Sequence, residues 1–145
     1  MTLVKLERPV YSLNNMKIIR NITYFEGKQL DVFVPEKIER TFIHFHGGGI
    51  VEGDKTDCDP LMEHLVNKNI LMFNANYSLY PNTKFPKFLE EAAQAVKYVY
   101  DHIKDFGGSK ESIYLSGQSA GAYIIMMLAL NPKYLNKFSI IPFSK

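Results

Sequence analysis

The chain has 145 residues, enough for one domain and too few for two of ordinary size. Hydrophobic residues make up 46% and charged residues 22%, which excludes a disordered or fibrous chain. Lys plus Arg number 17 and Asp plus Glu 15, and a net charge of +2 gives no electrostatic case for nucleic acid or an anionic membrane as partner.

The single cysteine, Cys58, rules out an intrachain disulfide and a multi-cysteine metal site. Near the start, Val4 and Leu6 flank Lys5, and Glu7, Arg8 and Pro9 follow. No continuous apolar stretch suits a secretory signal there. The longest apolar run, Ala122–Leu130, is far shorter than the roughly 20 residues of a membrane span. A cytoplasmic protein with no membrane span is the expectation.

Lys17–Phe25 is rich in Ile, Thr, Tyr and Phe and suits a strand. Glu26-Gly27-Lys28 reads as a tight turn. Gln29–Val34 then puts Leu30, Val32 and Val34 on one face, and Pro35 ends it, so the two segments predict an antiparallel hairpin. Arg40–His46 is a strand that runs directly into Gly47-Gly48-Gly49. Asp59 as cap and Pro60 at the first helical position open a helix bearing Leu61, Met62, Leu65 and Val66. Ile70–Tyr77 is a short apolar strand.

Pro86 opens a long amphipathic helix. Its stripe runs through Phe85, Phe88, Leu89, Ala92, Val96, Val99, Ile103 and Phe106, and Gly107-Gly108 ends it. Ser112–Leu115 is a strand that enters Ser116-Gly117-Gln118-Ser119-Ala120-Gly121. A helix follows over Ala122–Leu130, apolar on every face and therefore expected to be buried, and Asn131-Pro132 stops it. Strands alternating with helices predict a single α/β domain over residues 1–145, a mostly parallel sheet of about five strands with helices on both faces.

Two glycine motifs carry the chemistry. In Gly117-x-Ser119-x-Gly121 a sharp strand-to-helix turn would present the serine hydroxyl. Flanking glycines relieve the crowding of backbone segments, and the helix N-terminus faces a developing oxyanion. In His46-Gly47-Gly48-Gly49 the bare backbone lets N–H groups approach a ligand oxygen. No G-x-G-x-x-G and no Gly-Lys-Ser/Thr is present, so a nucleotide has little support, and no cofactor is expected. His44-x-His46 has no third partner at metal-ligand spacing, so no metal site is expected.

HFHGGG (44–49), NYSLYPNTKFP (76–86) and LSGQSAG (115–121) together resemble the hormone-sensitive-lipase-like esterases of the α/β-hydrolase superfamily. The resemblance spans about residues 18–131. It implies an α/β-hydrolase fold and a serine carboxylic-ester hydrolase acting on a small ester. Ser119 would be the nucleophile, the N–H of Ala120 the first oxyanion donor, and those of Gly48 and Gly49 the donors from the upstream loop. His46 and Gly47, with Gly117 and Gly121, would shape the two turns. Asn76 and Ser78 stand where the family has Asp and Arg, which removes an ion pair beside the site.

In this superfamily the acid and the histidine follow the serine. The residues after Ser119 contain no Asp, Glu or His, and all four histidines (His44, His46, His64 and His102) precede it. Glu52 and Asp54, after the glycine loop, read as solvated charges that could anchor it. The expectation is the N-terminal half of a longer hydrolase, cut after the nucleophile helix, with the nucleophile strand at an open edge. Such a chain would self-associate or take a complementing C-terminal half. The alternative is a non-catalytic interaction protein.

Overall fold

The computed structural model describes residues 10–13 and 15–142. One six-stranded sheet organises them. Its strands are β1 (Val10–Leu13), β2 (Met16–Phe25), β3 (Lys28–Val34), β4 (Arg40–Phe45), β5 (Ile70–Ala75) and β6 (Ile113–Gly117), in the order β1-β2-β3-β5-β4-β6. The β2–β3 hairpin turns through Glu26 (φ 40°) and Gly27 (φ 76°), the paired positive φ values that match a tight turn to strand twist.

The expectation of a mostly parallel sheet needs correction, because the sheet is mixed. Parallel pairing is confined to β5-β4-β6, while β1–β2, β2–β3 and β3–β5 are antiparallel. The reason is connection length. Only two residues separate β1 from β2, and a tight turn joins β2 to β3, connections that permit only antiparallel pairing. β4 to β5 and β5 to β6 are joined through helices long enough to cross over.

Alternation along the strands divides the core into two layers. Leu71, Phe73 and Ala75 of β5 and Ile43 and Phe45 of β4 face α2 (Lys87–His102) and α3 (Ala120–Leu130). Met72 of β5 and Phe33 of β3 face α1 (Asp59–Val66), which buries Met62 and Val66. The stripe on α2 is the face it buries, from Phe88 and Leu89 to Val99. Phe85 lies outside it, 60% exposed and ahead of the first helical residue. A 3-10 turn over Ile103–Phe106 and Gly107 in the left-handed region (φ 84°) end the helix.

Two further expectations change. Asp59 does not cap α1; Cys58 holds the cap position, and the Asp59 carboxylate takes two hydrogen bonds from Arg20, at 2.9 and 2.7 Å. α3 starts at Ala120, earlier than the apolar run suggests, and only Gly121, Ile124 and Leu128 on it are buried. Tyr123, Met126 and Leu130 are exposed, because the described residues cover one face of this helix. β6 lies at the sheet edge with β4 as its neighbour, and α4 (Lys133–Asn136) tucks Tyr134 and Leu135 into the larger core layer. Among the described residues no helix is long and apolar enough to cross a membrane.

Candidate active site

Ser119 sits between β6 and α3 with φ 52° and ψ −112°, a backbone region that non-glycine residues occupy at a cost of about 1–3 kcal/mol. Close packing fixes this turn. A methyl group at Gly117 would fall 2.4 Å from the Gly121 carbonyl, and one at Gly121 would fall 1.9 Å from the Phe45 carbonyl oxygen. Neither position admits a side chain. The Gln118 N–H donates to Phe45 O (3.3 Å) and the Gly121 N–H to Gln118 O (2.8 Å), so the turn is tied to the end of β4 and closed on itself. Ser119 stands exposed at the top.

The glycine loop leaves β4 directly beside that turn. A methyl group at Gly47 would lie 3.0 Å from Gln118 O and 3.4 Å from Ser119 Cβ. Gly48 (φ 112°), Gly49 (φ 65°) and Ile50 (φ 65°) follow in left-handed conformation. For β-branched Ile50 this is a strained geometry, and the Tyr80 N–H holds it by donating to Ile50 O at 2.7 Å. Gly48 O accepts from the N–H groups of Val51 and Glu52, both at 3.0 Å. Among the described residues no acceptor engages the N–H of Gly48, Gly49 or Ala120. A cleft of about 330 Å³ opens here, lined by Ser119 and Gln118 of the serine turn, His46, Gly47 and Gly48 of the glycine loop, and Glu52, Gly53, Asp57 and Cys58.

His46 is buried and shapes the loop. Its Nδ1 lies 2.6 Å from Gly47 O, so Nδ1 carries the proton and donates. Its ring stacks on Tyr77 (centroids 4.5 Å apart), whose hydroxyl donates to His46 O at 2.7 Å. Burial, and second Cys58, push the Tyr77 phenol up to about 12, so it stays a donor at neutral pH. His44 Nδ1 pairs with Ser116 Oγ at 2.9 Å. Burial, and secondly His46, hold its imidazole below the usual histidine range. Exposed His64 lies on α1. His102 pairs with Asp105 beyond the end of α2, near the start of β5 and so at the opposite end of the sheet from Ser119. No histidine among the described residues makes a hydrogen bond with Ser119, and no group of His, Cys, Asp or Glu there is disposed to hold a metal.

A polar network behind the loop was not foreseen from the sequence. Asp31, fully buried on β3, accepts from Arg20 Nη1 (2.8 Å) and the Asn21 N–H (2.8 Å) and pairs with Lys55 Nζ at 3.1 Å. The Lys55 N–H donates to Asn76 Oδ1 (2.7 Å), and Asn76 Nδ2 donates to Asp54 Oδ2 (2.7 Å). Asp54 also caps the 3-10 turn over Lys55–Cys58, whose Asp57 and Cys58 line the cleft. Burial pushes the Asp54 carboxyl up, but hydrogen bonds from Thr56 and Asn76 outweigh it and hold it below the usual range. Asp54 thus anchors the loop, and Glu52 remains on the surface. Asn76 fits here because Asp54 only accepts: an aspartate at 76 would set two carboxylates face to face. Ser78 donates its N–H and hydroxyl to buried Glu91, each at 2.7 Å. Gly53 (φ 102°) was also missed; a methyl group there would meet His46 Nδ1 at 2.7 Å. Its only signal in the sequence is a fourth glycine shortly after His46.

The BD-FAE family matches residues 30–139 of this chain. Hormone-sensitive lipase of Mus musculus is 29% identical over 119 residues, which is 79% of this chain and 16% of that protein. Esterase LipI of Mycobacterium tuberculosis is 31% identical over 97 residues, 66% of this chain and 30% of that protein. Among solved structures, the Francisella virulence factor BioJ superposes with a TM-score of 0.72 at 27% identity, over 86% of this chain and 40% of that one. The chain therefore spans less than a third of these curated relatives and about two fifths of the solved one.

Proposed function

From the premise that the chain belongs to the BD-FAE family of α/β-hydrolases, whose relatives include esterases and a lipase, we propose that it carries the nucleophile and oxyanion donors of a serine carboxylesterase acting on small esters. Ser119 Oγ attacks the ester carbonyl. The N–H groups of Gly48, Gly49 and Ala120 receive the oxyanion, worth about 3–4 kcal/mol per donor in such sites. The single observation that carries this reading is the strained, exposed Ser119 packed against Gly47 of a loop in which the Gly48 and Gly49 N–H groups meet no acceptor among the described residues.

The acid and base that complete such a centre have no counterpart beside Ser119 among the described residues. A complementing segment or chain would supply them, and without it ester turnover stays near the residual level of an oxyanion hole alone, roughly 10³–10⁴-fold over water. The second reading is an interaction protein, favoured by the exposed Tyr123, Met126 and Leu130 beside the edge strand β6.

Labelling with an alkyl fluorophosphonate separates the two. At pH about 9, where hydroxide takes the serine proton, the adduct should form slowly and map to Ser119. It should disappear in Ser119→Ala. An adduct elsewhere, or an unchanged one in Ser119→Ala, would overturn the esterase reading.

A further inference from the structure

Resting on the reading of Ser119 as the acyl acceptor, we propose that this cleft selects esters bearing a positive charge, with Glu52 setting the preference. Among the described residues the only charged side chains lining the cleft are Glu52 and Asp57, with no lysine or arginine. That local sign is opposite to the chain's net charge of +2, so it does not follow from composition.

The fold explains the imbalance. Two cations lie in the network behind the loop, and both are neutralised inside it. Arg20 is held by Asp31 and Asp59, and Lys55, 5% exposed, is held by Asp31 and Asn21. Neither can offset a charge in the cleft. Of the two lining carboxylates, Asp57 is engaged by the Asp54 N–H at 2.8 Å. Glu52 has no ion-pair or side-chain hydrogen-bond partner among the described residues.

The backbone that carries it is nonetheless fixed. The Glu52 N–H donates to Gly48 O at 3.0 Å, and its Cγ stands 3.3 Å from where a methyl group on Gly48 would be. The Glu52 side chain thus starts beside Gly48 and lines the same cleft as Ser119, with its carboxylate unpaired among the described residues. A substrate cation in the alcohol portion gains from it, and a substrate carboxylate is repelled. Because the cleft is open to water, the preference is modest, roughly three- to tenfold between cationic and anionic esters at low salt, and it shrinks as salt rises.

Three aryl acetates of similar shape test this in the full chain: 3-(trimethylammonio)phenyl acetate, 3-tert-butylphenyl acetate and 3-carboxyphenyl acetate. In each, Ser119 Oγ bonds to the acetyl carbon, the aryl ester C–O bond breaks, the phenolate leaves and the serine proton passes to hydroxide. The rate of acetyl-Ser119 formation is followed by peptide mass spectrometry and divided by the same ester's hydroxide hydrolysis rate. The expected order is cationic, neutral, anionic. Glu52→Gln should bring the ratios close to one, and Glu52→Asp, which keeps the charge, should retain most of the preference. Ser119 acetylated at equal normalised rates, or ratios unchanged in Glu52→Gln, overturns the charge preference and leaves the Ser119 reading intact. No acetyl on Ser119 with any of the three overturns that reading and the preference together.

Discussion

The backbone of Ser119 is set by its glycine neighbours. Its strained φ of 52° is sustained because Gly117 and Gly121 let two backbone segments and the end of β4 meet without side chains. Gly121→Ala should therefore cost about 2–4 kcal/mol in a urea melt, since the nearest atom to the added methyl is backbone and cannot rotate away. Gly27→Ala, with the same sign of φ but open space around it, should cost only about 1–2 kcal/mol. Equal losses would mean that the turn relaxes more easily than its packing implies.

His44 makes a pH prediction at the same scale. Its folded-state pKa lies below the unfolded value of about 6.5, so the neutral form is the one the fold accommodates. Its contribution is full above that value and is lost as pH falls from about 6.5 toward the folded pKa. Urea midpoints measured at pH about 7.5 and 5 should therefore differ more in the wild type than in His44→Gln. An identical pH slope in both would remove His44 from the account. The residues with no local signature behaved differently. Nothing around Lys55 or Asp31 in the sequence marks them as buried, because each depends on a partner from a distant element.

Among the elements, the hairpin, both crossover helices and the succession of strands and helices along the chain were legible, because turn residues and apolar periodicity are local. What was not legible was where each element ends up. The antiparallel β3–β5 join depends on sheet order, and no local pattern encodes it. The position of Asp59 before Pro60 suggests a cap, yet a bidentate arginine from β2 takes its carboxylate. α3 misled for another reason. Uniform apolarity predicts burial on all sides, but the helix meets β6, β4 and α2 on one side and exposes Met126 (56%) and Leu130 (68%) on the other.

That exposed face makes a prediction for the element. Met126→Lys with Leu130→Lys removes apolar contact area from solvent and little from the core. It should change the chain's own stability by less than about 0.5 kcal/mol per site. The same pair should sharply reduce any concentration-dependent association seen by sedimentation. Association that persists unchanged in the double variant would place the contact elsewhere.

For the molecule as a whole, the sheet brings the ends of β4 and β6 together, and each contributes one half of the candidate site. The parallel pairing His44↔Ser116 and Phe45↔Gly117 sets the glycine loop and the serine turn at the same height. β6 and α3 then form a border where an edge strand and an apolar helix face adjoin, the arrangement from which a complementing segment would extend the sheet.

The central claim is that Ser119 and the N–H groups of Gly48, Gly49 and Ala120 act as one acyl-transfer centre. Its most direct test is a crystal structure of the chain after reaction with a phosphonylating ester analogue. The account predicts phosphorus bonded to Ser119 Oγ, with the phosphoryl oxygen within about 3 Å of the N–H groups of Ala120 and of Gly48 or Gly49. Phosphorus bonded to a different residue, or a phosphoryl oxygen pointing into solvent away from those groups, would contradict it.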